Sequence, residues 1–140
     1  MSQIGQYKCS LGKVNEKILE KALNYLARKM NGLVAGAKIR NYGGNELSEW
    51  QGKKILAAIS TDAVPRGIGV AFDNGRIVLV GDGYGHNQAF NELRGVLEKK
   101  IQFVYKQMAV IIGMMARKNA KLVEHEDLGN GRTRIRIEVD

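Results

Sequence analysis

Two groups of residues in this chain have the types and spacing to do chemistry. The first is the run Gly81-Asp82-Gly83-Tyr84-Gly85-His86, set between an apolar strand pattern and the start of a long helical one. Glycines at such a junction can bring backbone N–H groups to a helix N-terminus, where phosphate is favoured. Gly81, Gly83, Gly85 and His86 are therefore read as a phosphate- or nucleotide-binding loop. The fit is incomplete: the third glycine of the dinucleotide fingerprint would fall at His86, and no Gly-Lys-Ser/Thr follows. The preceding strand also belongs to a hairpin, whereas that fingerprint expects a βαβ unit. The plain alternative is a strand-to-helix linker that uses the backbone freedom of glycine.

The second group is basic. Arg132, Arg134 and Arg136 alternate along a strand pattern, which would line charges along one side at about 7 Å intervals, comparable with the spacing of backbone phosphates. Lys38 and Arg40, followed by Tyr42, repeat the alternation and would extend the same face if the two strands are neighbours. Lys13, Lys17, Lys21 and Arg28 form a further stripe on the outside of an early helix. The chain carries 22 Lys and Arg against 14 Asp and Glu, a net charge of +8. Polyanions are the expected partners. Against this, the positive charge is spread without a run of five, and Glu124 and Glu126 are placed to neutralise two of the arginines.

Other chemistries lack their residues. His86 and His125 are the only histidines and Cys9 the only cysteine, whereas a zinc or nucleophilic site needs several ligands or a base beside its nucleophile. Catalytic residues, a cofactor and a metal are not assigned, and His86 with Asp82 and Cys9 is only a remote metal set. Cys9 alternates with Tyr7 and Leu11, the pattern of a small buried hydrophobe. The start MSQIGQYKCS lacks an apolar leader, and the longest apolar run, Met108 to Ala116, is about half the ~20 residues of a membrane span. A soluble, cytoplasmic protein is expected.

These residues must be positioned by a single domain spanning residues 1–140, the size of one ordinary core. Alternation predicts a strand over 6–11. Asn15 caps a helix with the stripe Ile18, Leu19, Ala22, Leu23, Leu26 and Met30, stopped at Asn31-Gly32. Period-two patterning over 33–42 predicts one half-exposed strand, with a second over 54–60 and Trp50 in the loop between as a lid on the core edge. Asn74-Gly75 marks a type I′ hairpin.

Apolar residues at spacings of three and four predict one helix over 87–118, about 50 Å long at ~1.5 Å per residue. Its second half is apolar on extra positions, Ala109, Val110, Ile112 and Met114, so Met108, Ile111, Ile112 and Met115 are read as a contact surface for another subunit or partner. A closing hairpin is predicted around Gly129-Asn130-Gly131. That register sets Glu126 opposite Arg134, Glu124 opposite Arg136, His125 opposite Ile135 and Val123 opposite Ile137. The fold class is α+β: a mainly antiparallel sheet with two helices, the second very long, packed on one face.

The strand, early helix, meander ending in RIVLVGDGYG, long helix with Tyr105 near its centre and final GNGR turn together resemble one family. It comprises small conserved hypothetical proteins of cyanobacteria, red-algal plastids, other bacteria and archaea, named for a plastid open reading frame. The resemblance covers most of the chain and rests on order and spacing, with Asp82, the helix tyrosine and the final turn as its identities. It implies no catalytic residues.

The leading expectation is thus a non-enzymatic, basic binding protein contacting RNA, DNA or a ribonucleoprotein through a basic sheet face. The alternative is an adaptor or subunit of a larger or homo-oligomeric assembly, held through the long helix. A phosphate or nucleotide binder at the glycine loop is third.

Overall fold

The computed structural model describes residues 4–9, 11–36, 38–118, 120–129 and 132–139, with side chains for 5–7, 9, 11–36 and 38–114. In chain order the elements are β1 (Ile4–Lys8), α1 (Glu16–Lys29), β2 (Leu33–Ala35), β3 (Ile39–Arg40), β4 (Glu46–Leu47), β5 (Glu49–Trp50) and β6 (Lys53–Ile59). β7 (Ile68–Asp73), β8 (Arg76–Asp82), α2 (Asn87–Lys118), β9 (Ala120–Gly129) and β10 (Arg132–Val139) complete the chain. The central sheet is antiparallel, in the order β1-β8-β7-β6-β2, with β5 also paired to β6. This is the expected α+β class.

Local chemistry accounts for the frame. Asn74 and Gly75 hold φ of 49° and 81°, the paired positive values of the type I′ turn that joins β7 to β8. Asn15 caps α1, its side chain accepting from the N–H groups of Lys17 and Ile18 at 2.9 and 3.2 Å. Arg28 and Lys29 occupy its last turn, where the helix dipole favours cations.

Both helices lie on one face of the sheet. Leu19, Leu23 and Leu26 of α1 and Phe90, Leu97, Ile101, Val104 and Met108 of α2 pack with Ala57, Ile59, Val70, Ile77 and Leu79, and Cys9 is buried among them. The opposite face is covered as well, by Ile39 of β3 with Leu47 and Trp50 over Ile55, Ala58, Ala71, Val78 and Val80. Ile55 and Ala58 share that face despite their odd separation because the pairing with β7 shifts register between Ile55 and Ala57, and a bulge re-aims alternate side chains.

Several sequence expectations are corrected. The strand over 33–42 is two short ones, because Gly36 turns at φ 73°; Val34 is exposed whereas Ile39 is buried on the far face. β1 begins at Ile4 and ends at Lys8, before Cys9. Trp50 belongs to a strand, pairs with Lys53 and donates from Nε1 to Gln6 Oε1 at 3.2 Å.

β3 and β4 form their own two-stranded unit, as do β9 and β10, so Lys38 and Arg40 do not continue the arginine strand as neighbours in one sheet. In the last hairpin Glu126 does face Arg134, Glu124 Arg136 and His125 Ile135, but Arg132 pairs with Gly129 and Ile137 with Leu122. Register shifts on either side of the Thr133–Arg136 segment displace Val123 from the expected pairing. The side chains of Arg132, Arg134, Arg136, His125 and Met115, and loop residues Asn130 and Gly131, lie outside the described residues.

On α2, Met108 and Ile111 are buried within the chain itself, Ile112 and Met114 are half-buried, and Val110 is exposed. The expected contact surface is thus partly core. Among the described residues no helix is long and apolar enough to cross a membrane.

Candidate functional site

Asp82 closes β8 and is fully buried. Its short side chain accepts the N–H of Tyr84 on Oδ1 at 3.1 Å, the local turn that aspartate favours where a strand ends. Oδ2 accepts the N–H of Tyr42 at 2.7 Å. One carboxylate thereby fixes the loop after β3 to the loop after β8. The two tyrosine rings meet edge to face, centroids 4.9 Å apart at 86°, and remain 51% and 37% exposed.

Arg66 joins the rest. It follows a tight turn in which Thr61 and Val64 exchange backbone hydrogen bonds, with Pro65 between. Its Nε donates to the carbonyl of Asp82 at 3.3 Å, and one terminal nitrogen reaches the carbonyl of Tyr84, His86 Nδ1 at 3.3 Å and Asp82 Oδ1 at 3.9 Å. The guanidinium carbon stands 5.3 Å from the centre of the Tyr42 ring, within cation–π range. A guanidinium can only donate, so His86 Nδ1 accepts and the imidazole is neutral with its proton on Nε2. Burial chiefly, then the charge of Arg66, holds the His86 pKa below 6.5, with Asp82 opposing.

Beside this cluster opens a cleft of about 480 Å³ lined by Lys38, Arg40, Glu46, Ser60, Pro65 and Arg66. The N–H of Arg40 donates to the Arg66 carbonyl at 2.8 Å, tying the wall of β3 to the arginine turn. Lys38 Nζ and Arg40 Nη2 both lean on Glu46, at 3.7 and 3.5 Å, with all three side chains more than half exposed. Ion pairs of this kind contribute little, and an incoming anion can recruit both cations at small cost. Three cations and one carboxylate thus line an open cleft.

The expected site residues are therefore redistributed. Lys38 and Arg40 line the cleft, and His86 sits behind Arg66. The glycines have local reasons: a Cβ on Gly81 would lie 2.6 Å from the Phe90 ring and one on Gly83 3.1 Å from it, while Gly85 holds φ of 85°. The N–H groups of Tyr84 and His86 are engaged by Asp82 and by the carbonyl of Gly83.

The sequence pattern places Tyr42 beside Lys38 and Arg40 and Tyr84 in the glycine run, but it signals neither the pairing of the two rings nor the part played by Arg66. In the sequence they are an arginine between Pro65 and Gly67 and two tyrosines in glycine-rich loops. Among the described residues no three of His, Cys, Asp and Glu gather as a metal site. Comparison with protein-family models, curated proteins and solved structures gives no match to this chain.

Proposed function

We propose that this chain is a nucleic-acid-binding protein without catalytic activity, and that Lys38, Arg40 and Arg66 take the phosphate backbone of RNA or DNA, free or in a ribonucleoprotein. The observation that carries the reading is the convergence of three cations on one open cleft with a single carboxylate in its lining. The net charge of +8 favours the same partner class at long range. Arg132, Arg134 and Arg136 on β10 serve as a secondary strip, in register with Gly129, Glu126 and Glu124. A cytoplasmic setting accords with the single buried thiol of Cys9.

The test is fluorescence anisotropy with a labelled oligonucleotide across a salt series. Lys38→Glu with Arg40→Glu should weaken binding at least tenfold and lower the slope of log affinity against log salt by about 2. Unchanged affinity and slope in that variant would remove the cleft from the reading.

A second reading, subunit of a larger assembly, is favoured by Val96 and Val110, which are 47% and 57% exposed on α2. Light scattering on the purified chain tests self-association, and a concentration-independent monomer argues against a homo-oligomer.

A further inference from the structure

The cleft is lined by Lys38, Arg40 and Arg66, and beside it the Tyr42 ring, 5.3 Å from the Arg66 guanidinium, meets the ring of Tyr84 at the surface. We propose that the ligand is single-stranded, and that Tyr42 and Tyr84 form the platform on which an unstacked base docks while Lys38, Arg40 and Arg66 hold the adjoining phosphates. This inference rests on the cleft reading above and specifies its substrate class.

Stacking needs a ring that is exposed, rigid and close to the phosphate contacts. Tyr42 is 51% and Tyr84 37% exposed, although an aromatic side chain released from function gains by burial. Their rigidity comes from below: both backbone N–H groups end on the buried Asp82 carboxylate, and the rings brace each other at 4.9 Å. The closeness comes from Arg66, which lines the cleft and also stands 5.3 Å from the Tyr42 ring. Arginine over an aromatic ring is itself a surface on which bases stack.

A duplex fits this arrangement poorly. Its base faces are covered by their neighbours, and reading its major groove takes a protruding helix or ribbon. Here the cations sit around a concavity, on a two-residue strand, the residue before it and a turn. A strand with separable bases can place a phosphate in the cleft and the next base on the tyrosines beside Arg66, using the cations and the rings at once.

The experiment measures anisotropy of the full chain with a labelled RNA of about 12 nucleotides, alone and annealed to its complement, with a mononucleotide as competitor. The wild type should prefer the single strand to the duplex at least tenfold, and millimolar mononucleotide should displace the strand only weakly. Tyr42→Ala with Tyr84→Ala should lose about fivefold or more for the single strand and leave the weak duplex affinity unchanged. Tyr42→Phe with Tyr84→Phe should retain single-strand binding, because stacking uses the ring and leaves the hydroxyl idle.

Equal affinity for strand and duplex, a mononucleotide that binds as tightly as the strand, or full binding by the alanine variant would each overturn the proposal. A wild-type measurement covers an alanine variant that does not fold. Photocrosslinking a 4-thiouridine-bearing strand should place the adduct on the peptide holding Tyr42 or Tyr84, and adducts confined to other segments overturn the platform. If Lys38→Glu with Arg40→Glu leaves both ligands unaffected, the cleft reading itself fails. If that variant weakens both while the tyrosine variants change nothing, only the single-strand inference fails.

Discussion

The backbone N–H of Tyr42 meets Oδ2 of Asp82 at 2.7 Å across forty residues of chain. The other carboxylate oxygen takes the N–H of Tyr84, so one buried side chain sets the position of both exposed rings and lies 3.9 Å from Arg66. Loops on a protein surface are ordinarily its most mobile parts. Here an aspartate with no exposed surface holds two of them together.

Asp82→Ala is expected to be severely destabilising. It removes the acceptors of two backbone donors and the carboxylate nearest a guanidinium whose side chain is only 17% exposed, an order of 3 kcal/mol or more. Asp82→Asn should fall between, because its carbonyl oxygen can still accept while its NH2 opposes the other donor. Urea denaturation checks this, and an alanine variant with the wild-type midpoint would show that the clamp holds nothing.

His86 links stability to pH, with a sign the geometry fixes. Its pKa is lowered in the folded chain, first by burial and then by Arg66. The unfolded chain, with the ordinary value near 6.5, therefore binds more protons in the interval between the two values. Stability is complete above about pH 6.5 and declines as pH falls through that value toward the folded one. Protonation puts a hydrogen on Nδ1, where Arg66 now donates. His86→Gln should flatten the dependence of the urea midpoint on pH between about 7.5 and 5.5. A slope equal to the wild type in that range would exclude His86 as its source.

What the sequence made legible, and what it did not, divides by the range of the interaction. The cap at Asn15, the Asn74-Gly75 turn and the apolar stripe of α2 are local signals, readable from period and turn chemistry, and each lies where expected. The alternation over 33–42 is formally that of one strand; only the positive φ of Gly36 sends Ile39 to the opposite face. Arg66 is the clearest omission. Its partners Asp82, Tyr84 and His86 are 16, 18 and 20 residues away, and no periodicity encodes a contact made by one side chain across loops. The alternation of Lys38 and Arg40 suggests a sheet face, yet they belong to the cleft because β3 pairs with β4, outside the central sheet.

The glycine loop offers a test that separates packing from ligand binding. A Cβ on Gly81 would stand 2.6 and 2.9 Å from two carbons of the buried Phe90 ring and 3.0 Å from the carbonyl of Gly67. Neither neighbour is a flexible chain end, so Gly81→Ala should cost about 1–3 kcal/mol through overpacking. The companion Gly81→Ala with Phe90→Leu should recover part of that loss, because the smaller side chain vacates the contact. Thermal melts of the two variants decide it: no loss in the single variant, or no recovery in the double, would reject Phe90 as the reason for the glycine.

A polar contact also joins α2 to the start of α1. The hydroxyl of Tyr105 on α2 accepts the backbone N–H of Asn15, the capping residue of α1, at 2.8 Å. That N–H precedes the first turn, and the Asn15 side chain is already occupied with Lys17 and Ile18. Tyr105→Phe deletes only the hydroxyl and leaves the ring in the core margin where it packs. Because the bond is solvent-accessible and water can replace the lost partner, the expected cost is about 1 kcal/mol or less. The sharper readout is local: amide exchange at Asn15 should accelerate in the variant while the amides at the centre of α1 keep their protection. Uniform acceleration along α1 would mean that Tyr105 supports the whole helix, and no change at Asn15 would mean that the bond does not persist in solution.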